Sequence, residues 1–158
     1  MNTPNLLKTL RYYIGADSSI QTLLGEATAQ DTRKHLVMMD AVYVSKDSGY
    51  SYPRIGLLVD DDAPRMRGCD DNTVDLFLDI ANKYANADCA LVNLKLKDRL
   101  KDLIDEKHAD INDQAVTLSL SLKLRGIFWV SGVTYNDKTQ GSERLHRYNC
   151  QFVLTVGD

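Results

Sequence analysis

Apolar positions recur at helical spacing near the start of the chain: Leu6, Leu7, Leu10 and Ile14 follow Pro4, and Gly15 closes the run. Proline is favoured in a first helical turn, where its missing N–H would have no partner anyway, so a helix capped by Thr3 is expected. A shorter helix follows, capped by Asp17 or Ser18, with Ile20, Leu23 and Leu24 on its apolar side and Gly25 terminating it. Residues 26–35 read as a polar connector.

The pattern then shortens its period. Leu36 to Val44, ending in Val42, Tyr43 and Val44, reads as a first strand, and Arg54 to Val59 after Pro53 as a second. The second is apolar on both faces, which suits a central strand. Thr73 to Ile80 alternates: Val74, Leu76, Leu78 and Ile80 face one way, with Thr73, Asp75 and Asp79 opposite, around Phe77. Such alternation predicts a strand wet on one side. Asp88 is placed to cap a helix reaching about Lys107, with Val92, Leu96, Leu100, Leu103 and Ile104 as its apolar stripe.

Ala115 to Val133 reads as strand, because Leu118, Leu120, Leu122 and Leu124 alternate with Thr117, Ser119, Ser121 and Lys123. Gly126 within the run predicts a bulge or bend. Asn136 to Gly141 forms the turn, and Arg144 to Val156 returns with Tyr148, Cys150, Phe152, Leu154 and Val156 on one face. Trp129 and Tyr135 are expected on a common strand face, with Phe128 opposite and in the core. The order predicts an α+β fold: one mostly antiparallel sheet of about five strands, with N-terminal helices and one long amphipathic helix packed on a face. At 158 residues, without repeats or a Pro- or Gly/Ser-rich linker, residues 1–158 are expected to form a single domain.

Composition narrows the function. The 19 basic against 22 acidic side chains leave a formal charge of -3, unlike the basic face that drives binding to phosphates. The longest apolar runs, such as Ile127 to Val130, are far short of a membrane span, and no secretory signal is visible, so a cytoplasmic site of synthesis and no membrane partner are expected. Cys69, Cys89 and Cys150 form no C-x-x-C pair, and their odd number argues against a disulfide framework. Cys89 and Cys150 are read as small buried apolar residues.

Catalytic chemistry finds little purchase. The chain has no phosphate-binding glycine loop, no nucleophile elbow and no H-E-x-x-H. His35, His108 and His146 lie tens of residues apart, unlike zinc ligands, and each is read as a surface histidine. Asp105, Glu106 and Lys107 spell a nuclease-like D-x-K, but on a helix, where that chemistry needs a strand. No cofactor or metal is expected, and the enzyme reading is the minority one.

The densest charge lies between Asp60 and Asn72. Asp60, Asp61, Asp62, Asp70 and Asp71 surround Arg65, Met66 and Arg67, which place apolar contact between two cations. A solvated connector is one reading; the other, favoured by the length of the loop, is a surface that docks a protein partner.

Taken in order, these elements resemble the tail terminator, or tail completion, proteins of long-tailed bacteriophages. The resemblance rests on the leading helices ending in Leu23, Leu24 and Gly25, on Val42, Tyr43 and Val44, on the strand entry Tyr52, Pro53, Arg54 and Ile55, and on Val74 to Leu78. The helix around Leu96, Leu100 and Leu103 and the closing strand from Tyr148 to Val156 complete it, so that it covers nearly the whole chain. It implies a structural virion protein of the neck, assembled in the host cytoplasm as a homo-oligomeric ring, typically a hexamer. Such a ring caps the tail tube protein, stops tube growth and meets the head connector or stopper, while DNA only passes through its lumen. A net acidic chain suits a lumen that must release phosphates. The alternatives are another neck protein, such as a head completion or stopper protein, a tube subunit, or a small cytoplasmic enzyme using Cys69 or the acidic cluster.

Overall fold

The computed structural model describes residues 2–38, 51–60, 72–83, 88–137 and 145–157, with backbone alone at 72 and 135–137. Five helices lie among them: α1 Thr3–Gly15, α2 Ser18–Leu24, α3 Ala29–Thr32, α4 Cys89–Ile104 and α5 His108–Thr117. The strands are β1 Leu36–Met38, β2 Arg54–Asp60, β3 Asn72–Lys83, β4 Leu124–Asp137 and β5 Leu145–Val156, in one sheet of spatial order β1-β2-β3-β5-β4. β1 runs parallel to β2, and every other neighbouring pair is antiparallel. This is the α+β arrangement expected from the sequence.

The N-terminal helices begin and end on local chemistry. The cap of α1 is Asn2 and not Thr3: its side chain accepts the Asn5 N–H at 3.1 Å, and Pro4 falls within the first turn. Asp17 caps α2 through the Ile20 N–H at 2.9 Å, and Gly25 ends it in the left-handed region at φ 75°. Residues 26–35 are not a plain connector. Thr28 caps the single turn of α3, and a 3-10 turn, Arg33–His35, delivers the chain into β1. The first strand is described as far as Met38, and the rest of the expected Leu36 to Val44 strand lies outside the described residues.

β3 and β5 form the spine, paired without interruption from Asn72 opposite Val156 to Lys83 opposite Leu145. One face buries Ile55 and Leu57 of β2, Leu76, Leu78 and Ile80 of β3, and Cys150, Phe152 and Leu154 of β5. α4 covers it along a seam of Cys89, Asn93, Leu96, Leu100 and Ile104, while Leu6, Leu10 and Ile14 of α1 and Ile111 and Ala115 of α5 fill the remainder. Asn93 occupies an otherwise apolar seam because its Nδ2 donates to the His146 carbonyl at 3.0 Å, tying α4 to the start of β5. The opposite face is drier than alternation suggests: Asp75 is only 6% exposed, and Asp79 meets Arg147 at 2.5 Å across the β3–β5 ladder.

Two expected boundaries move. α4 stops at Ile104 and not near Lys107, because Asp105 turns extended and Glu106 adopts φ 60°. Its expected cap, Asp88, makes no capping bond through its side chain. The stretch from Ala115 to Lys123 is not strand. Residues 108–117 form α5, with Ile111 and Ala115 buried four apart, and the alternating leucines 118–122 follow as a half-buried connector. This connector runs beside α1, where Asn5 Nδ2 donates to the Ser121 carbonyl at 2.9 Å. β4 begins only at Leu124, whose N–H and carbonyl are both held by the Asn112 side chain at 2.9 Å.

A polar clamp joins the helices. Arg99 of α4 reaches Asp17, the cap of α2, at 2.5 Å and 3.1 Å, and Tyr13 of α1 donates to the Leu103 carbonyl at 3.0 Å. Burial works to raise the Asp17 carboxyl, but the Arg99 hydrogen bonds, the Ile20 N–H and the guanidinium charge outweigh it and hold it below its ordinary value of 3.8. A carboxyl depressed in the folded state stabilises fully above its unfolded value, and that contribution fades as pH falls through the folded one. Asp17→Asn keeps a capping side chain and removes the charge, so it should cost about 1 kcal/mol near neutrality, a modest figure because Arg99 is partly exposed. The gap between parent and variant, measured by urea melts, should be widest above pH 5 and close progressively below pH 4.

Candidate interaction surfaces

The two edges of the sheet are β1 and β4. An edge strand offers unpaired N–H and C=O groups, so proteins cover such edges or use them. At β1 the Arg11 guanidinium donates to the Leu36 carbonyl at 3.0 Å. At β4 the turn after α4 takes this part: the Glu106 N–H donates to the Ile127 carbonyl at 2.8 Å, and Asp105 Oδ1 accepts the Trp129 N–H at 2.8 Å. The left-handed Glu106 is what aims that N–H at the strand.

Past Trp129 this cover ends. Val130, Ser131, Gly132, Val133 and Thr134 are exposed in succession, and among the described residues no side chain or turn bonds their outward edge. Phe128, Val130 and Val133 are 47%, 48% and 58% exposed and form an apolar strip on this edge. Two register shifts shape it, at Leu124/Gly126 and at Trp129/Ser131. The first is the irregularity that Gly126 predicts. There Phe128 folds back along its own strand, its Cε2 2.7 Å from where a Cβ on Gly126 would stand, covering backbone that glycine leaves bare. The second leaves Val130 unpaired and inverts the alternation beyond it.

The expected placement of the aromatics changes. Trp129 pairs with Phe152 on the helix-covered face and meets its ring edge-on at 5.3 Å, and the side chain of Tyr135, expected on the same face, lies outside the described residues. Phe128, expected in the core, is on the surface, and Trp129 packs against the core instead. Gly132 is needed at the bulge because Tyr148 crosses it, with Cε1 2.6 Å from the position a Cβ would take.

A second apolar surface lies at the opposite side of the sheet. Pro4, Leu7 and Lys8 from the start of α1, with Met38, Leu58 and Val59 from β1 and β2, line a groove of about 400 Å³. Met38 is 40% exposed there, whereas Leu58, 38% exposed, alternates with the buried Leu57 and turns to the face away from the helices.

Of the residues singled out in the acidic loop, Asp60 is exposed at the end of β2, opposite Asp75 of β3. Asp61, Asp62, Arg65, Met66, Arg67, Asp70 and Asp71 lie outside the described residues, as does Cys69. Cys89 and Cys150 are buried and free, and burial pushes the Cys150 thiol up to about 12 despite the opposing charge of Lys97, leaving it a neutral core residue.

The histidines do not converge. His35 is not on the surface but 2% exposed, its Nδ1 2.7 Å from the Pro53 carbonyl and its Nε2 2.9 Å from Glu26 Oε1. It thus ties the chain before β1 to the entry of β2. His108 and His146 are half-buried at the start of α5 and in β5. Of the D-x-K string, Asp105 is spent on the Trp129 backbone. Among the described residues no three His, Cys, Asp or Glu side chains are grouped to hold a metal ion, and no helix is long and apolar enough to cross a membrane. No protein-family model matches the chain, and no curated protein is detectably similar to it.

The different burial of two neighbouring aromatics and a valine gives a stability test. Val133→Lys should change unfolding free energy by no more than about 0.5 kcal/mol, as surface substitutions do. Trp129→Ala should cost about 3–5 kcal/mol by opening the core beside Phe152, and urea titration of the two variants would separate surface from core.

Proposed function

We propose that this chain is a structural virion protein of a long-tailed bacteriophage, a tail terminator whose ring caps the tail tube, ends its growth and receives the head connector. The observation that supports self-assembly best is the edge of β4. Among the described residues it is covered as far as Trp129 and uncovered beyond, and it carries exposed Phe128, Val130 and Val133. A sheet edge left open beside an apolar strip is suited to contact with another chain. The second support is the resemblance itself, which rests on the order of elements; the described residues keep its N-terminal helices, its sheet and the helix across one face.

In this reading the chain is not an enzyme, DNA only traverses the lumen, and the partners are other copies, the tube protein and the connector or stopper. The loop from Asp60 to Asn72 docks one of them, with Arg65 and Arg67 meeting carboxylates around Met66. Purified protein should form particles with a central hole in negative-stain micrographs, and light scattering should show a discrete oligomer growing in with concentration. A strict monomer that also fails to cap tubes would end the proposal.

The loop has its own test. Arg65→Glu with Arg67→Glu should leave circular dichroism unchanged and abolish tube capping, since breaking buried charge pairs costs about 2–5 kcal/mol of binding each. A double variant that caps tubes like the parent would make the loop a solvated connector.

A further inference from the structure

Two acceptors converge on one buried ring. His35 is 2% exposed, with Nδ1 2.7 Å from the Pro53 carbonyl oxygen and Nε2 2.9 Å from Glu26 Oε1. A carbonyl oxygen can only accept, so Nδ1 must carry a hydrogen. Glu26 is partly exposed and near enough to Lys34 for that ammonium to feel its charge; it stands as a carboxylate, which also only accepts. Nε2 must then carry a hydrogen as well. A ring that donates from both nitrogens is an imidazolium, so the closed contact holds one proton more than a neutral histidine beside a carboxylate.

The neighbouring charges make this a proton that can be lost. Arg11 of α1 donates to the Arg33 and Leu36 carbonyls on either side of the ring, and the Arg33 guanidinium lies over Tyr12. Lys34 pairs with Asp31, and Arg54 and Lys83 both lie over Tyr52 beside Pro53. Asp17, at the far end of α2, is taken by Arg99. Among the described residues, then, cations outnumber carboxylates around His35 and none of them bonds the ring. They oppose a further positive charge, and the two hydrogen bonds hold it. Without the proton, the Nε2 lone pair would face the carboxylate with no donor between them, in a site too dry for water to relieve the clash.

The ring fastens three segments. The Glu26 N–H closes the end of α2 on the Gln21 carbonyl at 2.9 Å, and Pro53 leads into β2. His35 itself precedes β1, whose parallel register begins one residue later with Leu36 opposite Ile55. We propose that His35 and Glu26 form a proton-operated latch. While the imidazolium is in place, β1 is held at the edge of the sheet; as pH rises and the proton leaves, the Glu26 contact opens and the hold on β1 and the β2 entry slackens. The latch stands independently of the phage reading.

An unfolded histidine releases its proton near about pH 6.5. Above that point the latched chain holds one proton more than the unfolded chain, so its folding constant falls by up to about tenfold per pH unit until the latch is empty. The stabilisation is thus complete at lower pH and lost as pH rises.

Glu26→Gln isolates the proton, because a glutamine amide can donate to a neutral Nε2 and keep the contact without an imidazolium. In urea titrations of the full chain, with matching circular dichroism, the ratio of parent to variant folding constants should fall severalfold per unit above about pH 6.5. Ring nitrogen NMR at about pH 7, where an unfolded histidine is mostly neutral, should show hydrogens on both His35 nitrogens in the parent and on Nδ1 alone in the variant. Amide exchange in β1, corrected for base catalysis, should accelerate with pH in the parent only. Parallel stability profiles for the two chains, or a parent ring protonated at Nδ1 alone, would overturn the latch. A doubly protonated ring with identical β1 exchange in both chains would overturn it too, since the proton would then hold nothing.

Discussion

One-sided burial of the β3–β5 ladder is the constraint on which the remaining structure depends. Because side chains alternate across a strand, the unbroken register from Asn72–Val156 to Lys83–Leu145 puts Leu76, Leu78 and Ile80 beside Phe152, Cys150 and Tyr148 on one surface. A one-residue slip would turn this entire set towards the other side. That surface requires a cover, and the buried seam of α4 supplies it from above while α1 and α5 close the flanks. The polar ties between Arg99 and Asp17 and between Tyr13 and the Leu103 carbonyl then hold the covering helices to one another.

The same covering leaves the edges to be managed by what remains. The turn from α4 to α5 is long enough to reach β4 and does so with one backbone N–H and one carboxylate, and the left-handed Glu106 directs that N–H at Ile127. Its reach ends at Trp129, where the bulge begins. Protection and exposure of the edge are thus two outcomes of the same geometry. An aromatic anchored in the core and a run of small exposed residues meet within a few positions of one strand.

The exposed apolar side chains of the sheet fall in two places of different shape, a strip on β4 and a groove beside α1. This placement separates assembly from stability: the side chains at 128, 130 and 133 contribute little to the core beneath Trp129.

Much of the fold was legible in the sequence because its signals are local. Asp17 and Gly25 bracket α2, Leu96, Leu100 and Ile104 mark the buried stripe of α4, and the alternation of Val74 to Ile80 marks the inward face of β3. What the sequence left undecided depends on neighbours distant along the chain. Leu118, Leu120 and Leu122 alternate like a strand, yet no ladder is available to them, and α5 takes the preceding residues because Ile111 and Ala115 find a place under the sheet. His35 is polar in type but buried, since the Pro53 carbonyl and Glu26 satisfy its ring. Phe128, expected in the core, is exposed and Trp129 packs against it, because one face is covered by helices and the other is not. The bulge at Val130 then inverts the parity that sequence alone would carry on to Val133. Local pattern determined which residues form helices and strands; only tertiary packing decided which face of each strand is covered and where an edge is left open, because burial and edge pairing are properties of the assembled sheet.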